Sequence, residues 1–375
     1  MPNTFIRKFL TNKVLWLYVL SGGFVLCTAL LGLLISSVTV PIPTIFTIII
    51  TNTVNSFLDH TVNLFITNTL HLGLLEDVPR NEEMIIWNIR FPRVLLAFCV
   101  GASLALAGAA FQGLLRNPLA DPYTIGVSSG AALGAVIVIF FGITFPVLGS
   151  FTLPTVAIIS GFVTLFIVFG LVRLSSRSLA IETIILAGII ISAFIGSIIS
   201  LIISLGDRES MTQIIYWLYG SVAMRGWGHV QIIIPFMVFG SLMLLVHYRE
   251  LNALALGEEA ADHIGVNVKR SKIYILMGAS LLTGAAVAVS GSIGFVGLVI
   301  PHLVRIVTGP NHRHVLPLSI LVGGSFLILA DLVARMIIAP KELPIGIITA
   351  LIGAPVFAAL LIRERIGRGK KNAKD

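Results

Sequence analysis

Charge is what this chain has least of. Asp, Glu, Lys and Arg make up 11% of its 375 residues, against 57% hydrophobic ones. A soluble fold of this length has too much surface for so few charges and too little core for so many apolar side chains, so soluble multidomain arrangements are excluded. Lipid is the solvent for most of the chain. Cysteine is nearly absent as well: Cys27 and Cys99 each lie inside an apolar run. That excludes a disulfide framework and a cysteine metal cluster, and leaves both as packing residues. The net charge of +8 is spread over the ends of apolar runs, with no basic stripe and no interleaved aromatics, so a nucleic-acid partner is excluded too.

The signatures of covalent chemistry are missing. No Gly-x-x-x-x-Gly-Lys-Ser/Thr loop occurs, so any ATP that drives this protein is hydrolysed by another subunit. His-Glu-x-x-His, Gly-x-Ser-x-Gly and Cys-x-x-Cys are absent, and the eight histidines are scattered, with His302 beside Pro301 reading as a packing residue. No catalytic residue, metal ligand or cofactor is expected. An ion-coupled carrier would show several ionisable residues at mid-helix. The clearest here, Asp331, precedes Arg335 by four residues, a spacing that predicts an i,i+4 structural pair rather than a proton relay.

What is abundant is the long apolar run. A hydrocarbon layer of ~30 Å takes roughly 20 apolar residues per helical crossing. Candidate helices fall near 14–38, 94–115, 123–147, 153–173, 180–205, 230–248, 271–290, 295–308, 315–338 and 343–362. The chain therefore reads as an all-α integral membrane protein of about ten transmembrane helices, one domain over residues 1–375. Arg7, Lys8 and Lys13 precede a first run of about 25 residues, too long for a signal-peptide core and without a small-x-small cleavage site, so it reads as a retained helix. Alternating the helices from a cytoplasmic N-terminus puts seven basic residues outside: Arg80, Arg90, Arg93, Arg208, Arg225, Arg335 and Lys341. The other 18 of the 25 Lys and Arg fall inside, the excess that membrane topology favours. Both termini are then cytoplasmic.

Small residues at four-residue spacing, Gly126-Gly130-Gly134 and Gly188-Ser192-Gly196-Ser200, each mark one helix face for close packing. The eighth run is short, follows Gly291, Ser292, Gly294 and Gly297, contains Pro301, and reads as a broken or re-entrant helix. Gly101-Ala-Ser-Leu-Ala-Leu-Ala-Gly is echoed by Gly278-Ala-Ser-Leu-Leu-Thr-Gly in a helix of opposite direction, which points to an inverted repeat. In the external segment 41–85, Val54, Phe57, Leu58, Thr61 and Phe65 have the spacing of a helix lying on the membrane surface. Pro92 suits a first helical turn, so Arg90 and Arg93 would sit against the positive end of a helix dipole and be better placed facing an outside anion. Arg335 adds a third cation on that side. The cytoplasmic segment 250–270 has Gly257 placed to cap a short helix with Glu258 and Glu259 in its first turn, ended by Gly265.

Several of these stretches form ordered motifs: Arg90-Phe-Pro-Arg93, Gly101-Ala-Ser-Leu-Ala-Leu-Ala-Gly-Ala-Ala-Phe-Gln-Gly, Arg116-Asn-Pro-Leu-Ala-Asp-Pro and Gly126-Val-Ser-Ser-Gly-Ala. Further on come Gly294-Phe-Val-Gly-Leu-Val-Ile-Pro-His302 and Glu342-Leu-Pro-Ile-Gly-Ile-Ile-Thr-Ala-Leu-Ile-Gly-Ala-Pro-Val-Phe357. From about Arg90 to Arg363 they resemble, in the right order, the FecCD-type permeases for iron-siderophores and vitamin B12 in binding-protein-dependent ABC importers.

The resemblance implies a permease in a bacterial cytoplasmic membrane, with helices 2–5 and 7–10 as inverted repeats and a second permease, identical or homologous, beside it. Two cytoplasmic ABC ATPases and an extracytoplasmic substrate-binding protein complete the assembly. Arg90, Arg93 and Arg335 match family positions that face acidic residues of the binding protein. Gly257, Glu258, Glu259, Ala260, Ala261, Ile264 and Gly265 lie in a segment that resembles the coupling helix seated on the ATPase. The cargo implied is a ferric siderophore, with cobalamin or haem as alternatives, carried by alternating access. Against this stands an ion-coupled secondary transporter, and behind it a structural or receptor membrane protein. The segment before Arg90 departs from the family pattern.

Overall fold

The computed structural model describes residues 3–36, 38–61, 78–175 and 180–372. Phe65, and Arg177 and Lys374 of the cytoplasmic charge set, lie outside them. The described residues are helical almost throughout. In chain order they form α1 (Asn3–Leu34), α2 (Ile42–Thr61), α3 (Arg80–Glu83), α4 (Phe91–Leu114), α5 (Val127–Phe141), α6 (Thr152–Ser175), α7 (Ile181–Leu205) and α8 (Arg208–Leu218). Then follow α9 (Trp227–Val246), α10 (Tyr248–Leu254), α11 (Glu258–His263), α12 (Val268–Ser290), α13 (Val296–Thr308), α14 (His312–Met336) and α15 (Ile345–Asn372). Among the described residues seven helices are long and apolar enough to cross a membrane, and three shorter apolar ones, α5, α13 and the first part of α15, stand at the remaining expected runs.

Two helices hold the centre. The spans formed by α4 and α12 are buried over most of their length, whereas α1, α7 and α9 turn most of their surface outward, to where lipid would be. α4 packs on α12, α13 and α14, and α12 packs on α4, α5 and α6. That reciprocity is what an inverted repeat produces, since α4 and α12 open the two halves. Glycine sets how close the halves come. A Cβ on Gly101 would stand 2.3 Å from the Gly323 carbonyl oxygen, and one on Gly108 only 1.9 Å from that of Gly297. Backbone meets backbone at both places, which explains the small residues of the Gly101–Gly108 motif.

The short helices start deep. Gly297 lies against Leu104 and Gly108, halfway along α4, and Pro122 packs on it, so the turns that open α5 and α13 both sit at mid-depth. The Tyr123 hydroxyl joins them, donating to the Ile293 carbonyl at 2.9 Å and accepting from the Ile293 N–H at 3.0 Å. Gly126 before α5 and Phe295 before α13 hold matching left-handed conformations, φ +89° and +68°. Such backbone survives at membrane depth because it is buried in protein and its polar groups are partnered. The re-entrant reading of the eighth run thus holds, and it applies to α5 as well. There the expected 123–147 shrinks to Val127–Phe141, because Gly142, at φ +60°, closes the helix with Ile143 N–H on the Val138 carbonyl.

Other expectations change. α4 does not start at Pro92: helix runs unbroken from Arg80 to Leu114, with a π-helical stretch at Met84–Arg90. Proline cannot donate to the carbonyl four residues back, and the wider turn, in which Phe91 N–H reaches the Ile86 carbonyl, absorbs that loss. Arg90 and Arg93 therefore stand inside a helix and not at its dipole end. Segment 41–85 does hold a helix, α2, but it is apolar on more than one side: Ile45, Ile48 and Thr51 are buried, and Ile42, Phe46 and Ile50 are exposed. Of the two small-residue faces, Gly130 and Gly134 press on Thr164 and Ser160 of α6, and Gly188 on the Thr124 carbonyl, whereas a Cβ on Gly196 would meet nothing. Cys99 is buried, but Cys27 is exposed on α1.

Candidate functional site

The three arginines expected at one end of the bundle do come together there, and the anions they meet belong to the chain itself. Arg93 donates through Nε and Nη2 to Asp331 at 3.0 and 2.9 Å, and through Nη1 and Nη2 to Glu342 at 2.9 and 3.0 Å. Arg335 places Nε 3.2 Å from the same Asp331, the i,i+4 pair read from spacing, and donates to the Gly32 carbonyl at 3.2 Å. Arg90 donates to the Leu33 carbonyl at 2.9 Å and also to that of Val38. Arg90 and Arg93 are 3% and 8% exposed and Asp331 1%, so desolvation makes these partners obligatory. Only Glu342 reaches the surface to any extent, its side chain 39% exposed.

Beside this cluster the Trp227 indole donates to the Trp87 carbonyl at 2.8 Å. Trp87, Phe91 and Trp227 pack with ring centres 4.8–5.6 Å apart, Trp87 stacked on Phe91 and Trp227 edge-on to Phe91. The seam pins the π-helical stretch to α9. Next to it opens a cavity of about 830 Å³ that reaches Arg93, Glu342 and the Ser221–Gly226 turn. A second cavity, of about 520 Å³, lies at mid-depth, lined by Asp121, Thr124, Ser128, Ser129, Ser192 and Ser292. Its hydroxyls come from α5, α7 and both re-entrant turns, so no single run of sequence announces it. Ser129 next to Ser128 was the one local trace.

The far end carries the expected short helix. Gly257, at φ +120°, opens α11 and Gly265, at φ +88°, closes it with Val266 N–H on the Ala261 carbonyl. Glu258 and Glu259 occupy the first turn, where the helix dipole favours them. Their roles diverge. Glu258 turns inward and meets Lys272 Nζ at 2.5 Å, Lys272 being nearly buried, while Ala261 anchors the helix as a fully buried residue. Glu259, Ala260, Ile264 and Gly265 face out, and Leu256 and Ile264 are 73% and 65% exposed. A small rigid knob with acidic and apolar contacts projects from this end.

A helical membrane bundle built of two inverted halves, with half-helices meeting at mid-depth and a capped knob at one end, has the architecture of a transport permease. Residues 23–363 match the FecCD transport family, and the chain belongs to it. It is 47% identical over 370 residues to YvrB of Bacillus subtilis (strain 168), an uncharacterized ABC transporter permease protein, covering 98% of this chain and 99% of that one. It is 42% identical over 283 residues to the hemin transport system permease protein HmuU of Yersinia pestis, covering 75% of this chain and 84% of that one. A solved structure described as an inward-facing conformation of a transporter of proposed metal-chelate ABC type superposes with a TM-score of 0.76 at 34% identity, over 95% of this chain and 99% of the other. The chain is an ABC transporter permease subunit and not itself an ATPase, and the ion-coupled alternative gives way.

Proposed function

We propose that this chain is the permease of a bacterial importer that moves a ferric siderophore, or a related metal chelate such as haem or cobalamin, into the cytoplasm by alternating access. The Arg93 end faces outward, the α11 end and both termini face the cytoplasm, and a second permease, identical or homologous, completes the path. The observation that carries the reading is α11, a helix held rigid by the Lys272–Glu258 pair and offering Glu259, Leu256 and Ile264 outward, as a handle for the ATPase must. The relatives' names agree, one transporting hemin and one solved transporter described as metal-chelate in type.

At the outward end, Arg90, Arg93 and Arg335 outnumber the two carboxylates they meet, which leaves positive potential for a binding protein with acidic contacts. Glu342, the exposed member, is the group an incoming acid would displace from Arg93.

Iron-59 uptake from a panel of ferric siderophores, in cells with and without the gene, tests the reading. Loss of uptake for one chelate class on deletion is the expected result. Unchanged uptake of every ferric chelate would remove iron as cargo, and unchanged uptake of hemin and cyanocobalamin as well would remove the metal-chelate cargo proposed.

A further inference from the structure

One arginine at the Arg93 end lacks what its neighbours have. Arg90, Arg93 and Arg335 each find a carboxylate or carbonyls, but Arg225, in the turn between α8 and α9, forms no ion pair among the described residues. Its Nη1 lies 3.2 Å from the ring nitrogen Nε2 of His229, and its Nε is buried with no hydrogen-bond partner among the described residues. A guanidinium has five N–H donors, and a buried one left unused calls for a ligand or a structural reason.

Arg225 lines the cavity of about 830 Å³ together with Asn88, Arg93, Tyr216, Ser221 and Glu342. Among the described residues Glu342 is the one acid on that wall, and it is already engaged by Arg93, so no described carboxylate balances Arg225. The backbone here is also strained. Met224 holds φ +56°, rare for a residue with a side chain, and is fully exposed at the cavity edge. A volume of this order is that of a small-molecule site, and one acidic side chain from a docking protein would leave most of it empty.

We propose that this cavity receives a carboxylate of the incoming cargo, with Arg225 as its counter-ion. The inference rests on the importer reading for its direction, since that reading turns the cavity toward the side from which cargo arrives. A guanidinium suits a carboxylate by forming two parallel N–H···O bonds, which a point charge cannot.

Citrate is the probe. Equilibrium dialysis of labelled citrate against the full chain in lipid nanodiscs should give saturable binding, weakened about tenfold or more in Arg225→Gln and partly kept in Arg225→Lys. Trp227, two residues from Arg225, supplies a fluorescence readout of the same site. Thermal melts establish that both variants are folded. Absence of saturable citrate binding in the unaltered chain, or equal binding in Arg225→Gln, would overturn the proposal whether or not the chain imports a chelate. Citrate binding that survives in Arg225→Gln while capture of the binding protein is lost would overturn it too, by assigning the cation to docking. In cells, Arg225→Gln should lower uptake of hemin, which carries propionates, more than that of cyanocobalamin, which carries no free carboxylate. Failure of the chelate-cargo reading appears separately, as unchanged uptake of every chelate on deletion.

Discussion

Both ends of the bundle pair a buried cation with a glutamate 39% exposed, Arg93 with Glu342 and Lys272 with Glu258, and they differ in what stands behind that pair. At the Arg93 end Asp331 is 1% exposed, is shared by two arginines and joins α4 to α14 across 238 positions of sequence. At the α11 end the ion pair is half open, its glutamate 39% exposed, and further acids lie on the surface around it. Buried charge holds helices in register, because an unpaired ion there has no water to fall back on. Exposed charge adds little to the fold and is left for a partner. What distinguishes the ends is solvation, since both are rich in charged residues.

The largest effect expected from this comparison is at Asp331. Asp331→Ala leaves Arg335 with no paired carboxylate among the described residues and Arg93 with Glu342 alone, and should cost about 3–5 kcal/mol in denaturant unfolding in mixed micelles, while Glu342→Gln, partly exposed, should cost about 1 kcal/mol or less. Equal costs would break the distinction. Next comes the glycine seam that sets how closely the two halves approach. Gly108→Val drives a side chain into the Gly297 carbonyl and should cost about 3 kcal/mol or prevent folding, whereas Gly196→Ala, with nothing within 4 Å, should stay within about 0.5 kcal/mol.

The glutamates of α11 sharpen the contrast at the open end. Glu258→Arg places a cation against the nearly buried Lys272 and should lower stability by about 2 kcal/mol. Glu259→Arg should leave the melting temperature in place and weaken co-purification of the ATPase about tenfold, equivalent to about 1.4 kcal/mol. Interchange of these two outcomes would reverse the assignment of the inward and outward faces. A smaller loss is expected at the aromatic seam, where Trp227→Phe removes the hydrogen bond to the Trp87 carbonyl and should cost about 1 kcal/mol in the same unfolding assay.

Much of the fold was legible in the residues. Apolar length placed all ten runs, and glycines at 257 and 265 bracketed α11, because a left-handed cap is a local requirement. The i,i+4 spacing of Asp331 and Arg335 likewise fixed a contact that is local by geometry. The start of α4 was misread for an equally local reason. Pro92 signals a helix start, but here a π-helical turn absorbs it and the helix continues back to Arg80.

By itself, then, the sequence determined what depends on near neighbours and on composition: a lipid solvent, ten apolar helical runs, two halves of opposite direction, and a family. Tertiary structure alone decided which charges are spent and which are open. Arg93 and Arg225 carry the same side chain and were both assigned to the outer face, yet one closes on Asp331 and Glu342 and the other on no carboxylate. The physical reason is that a carboxylate's availability is set by helices packed from distant parts of the chain, and the desolvation they impose is not written in the spacing of either residue.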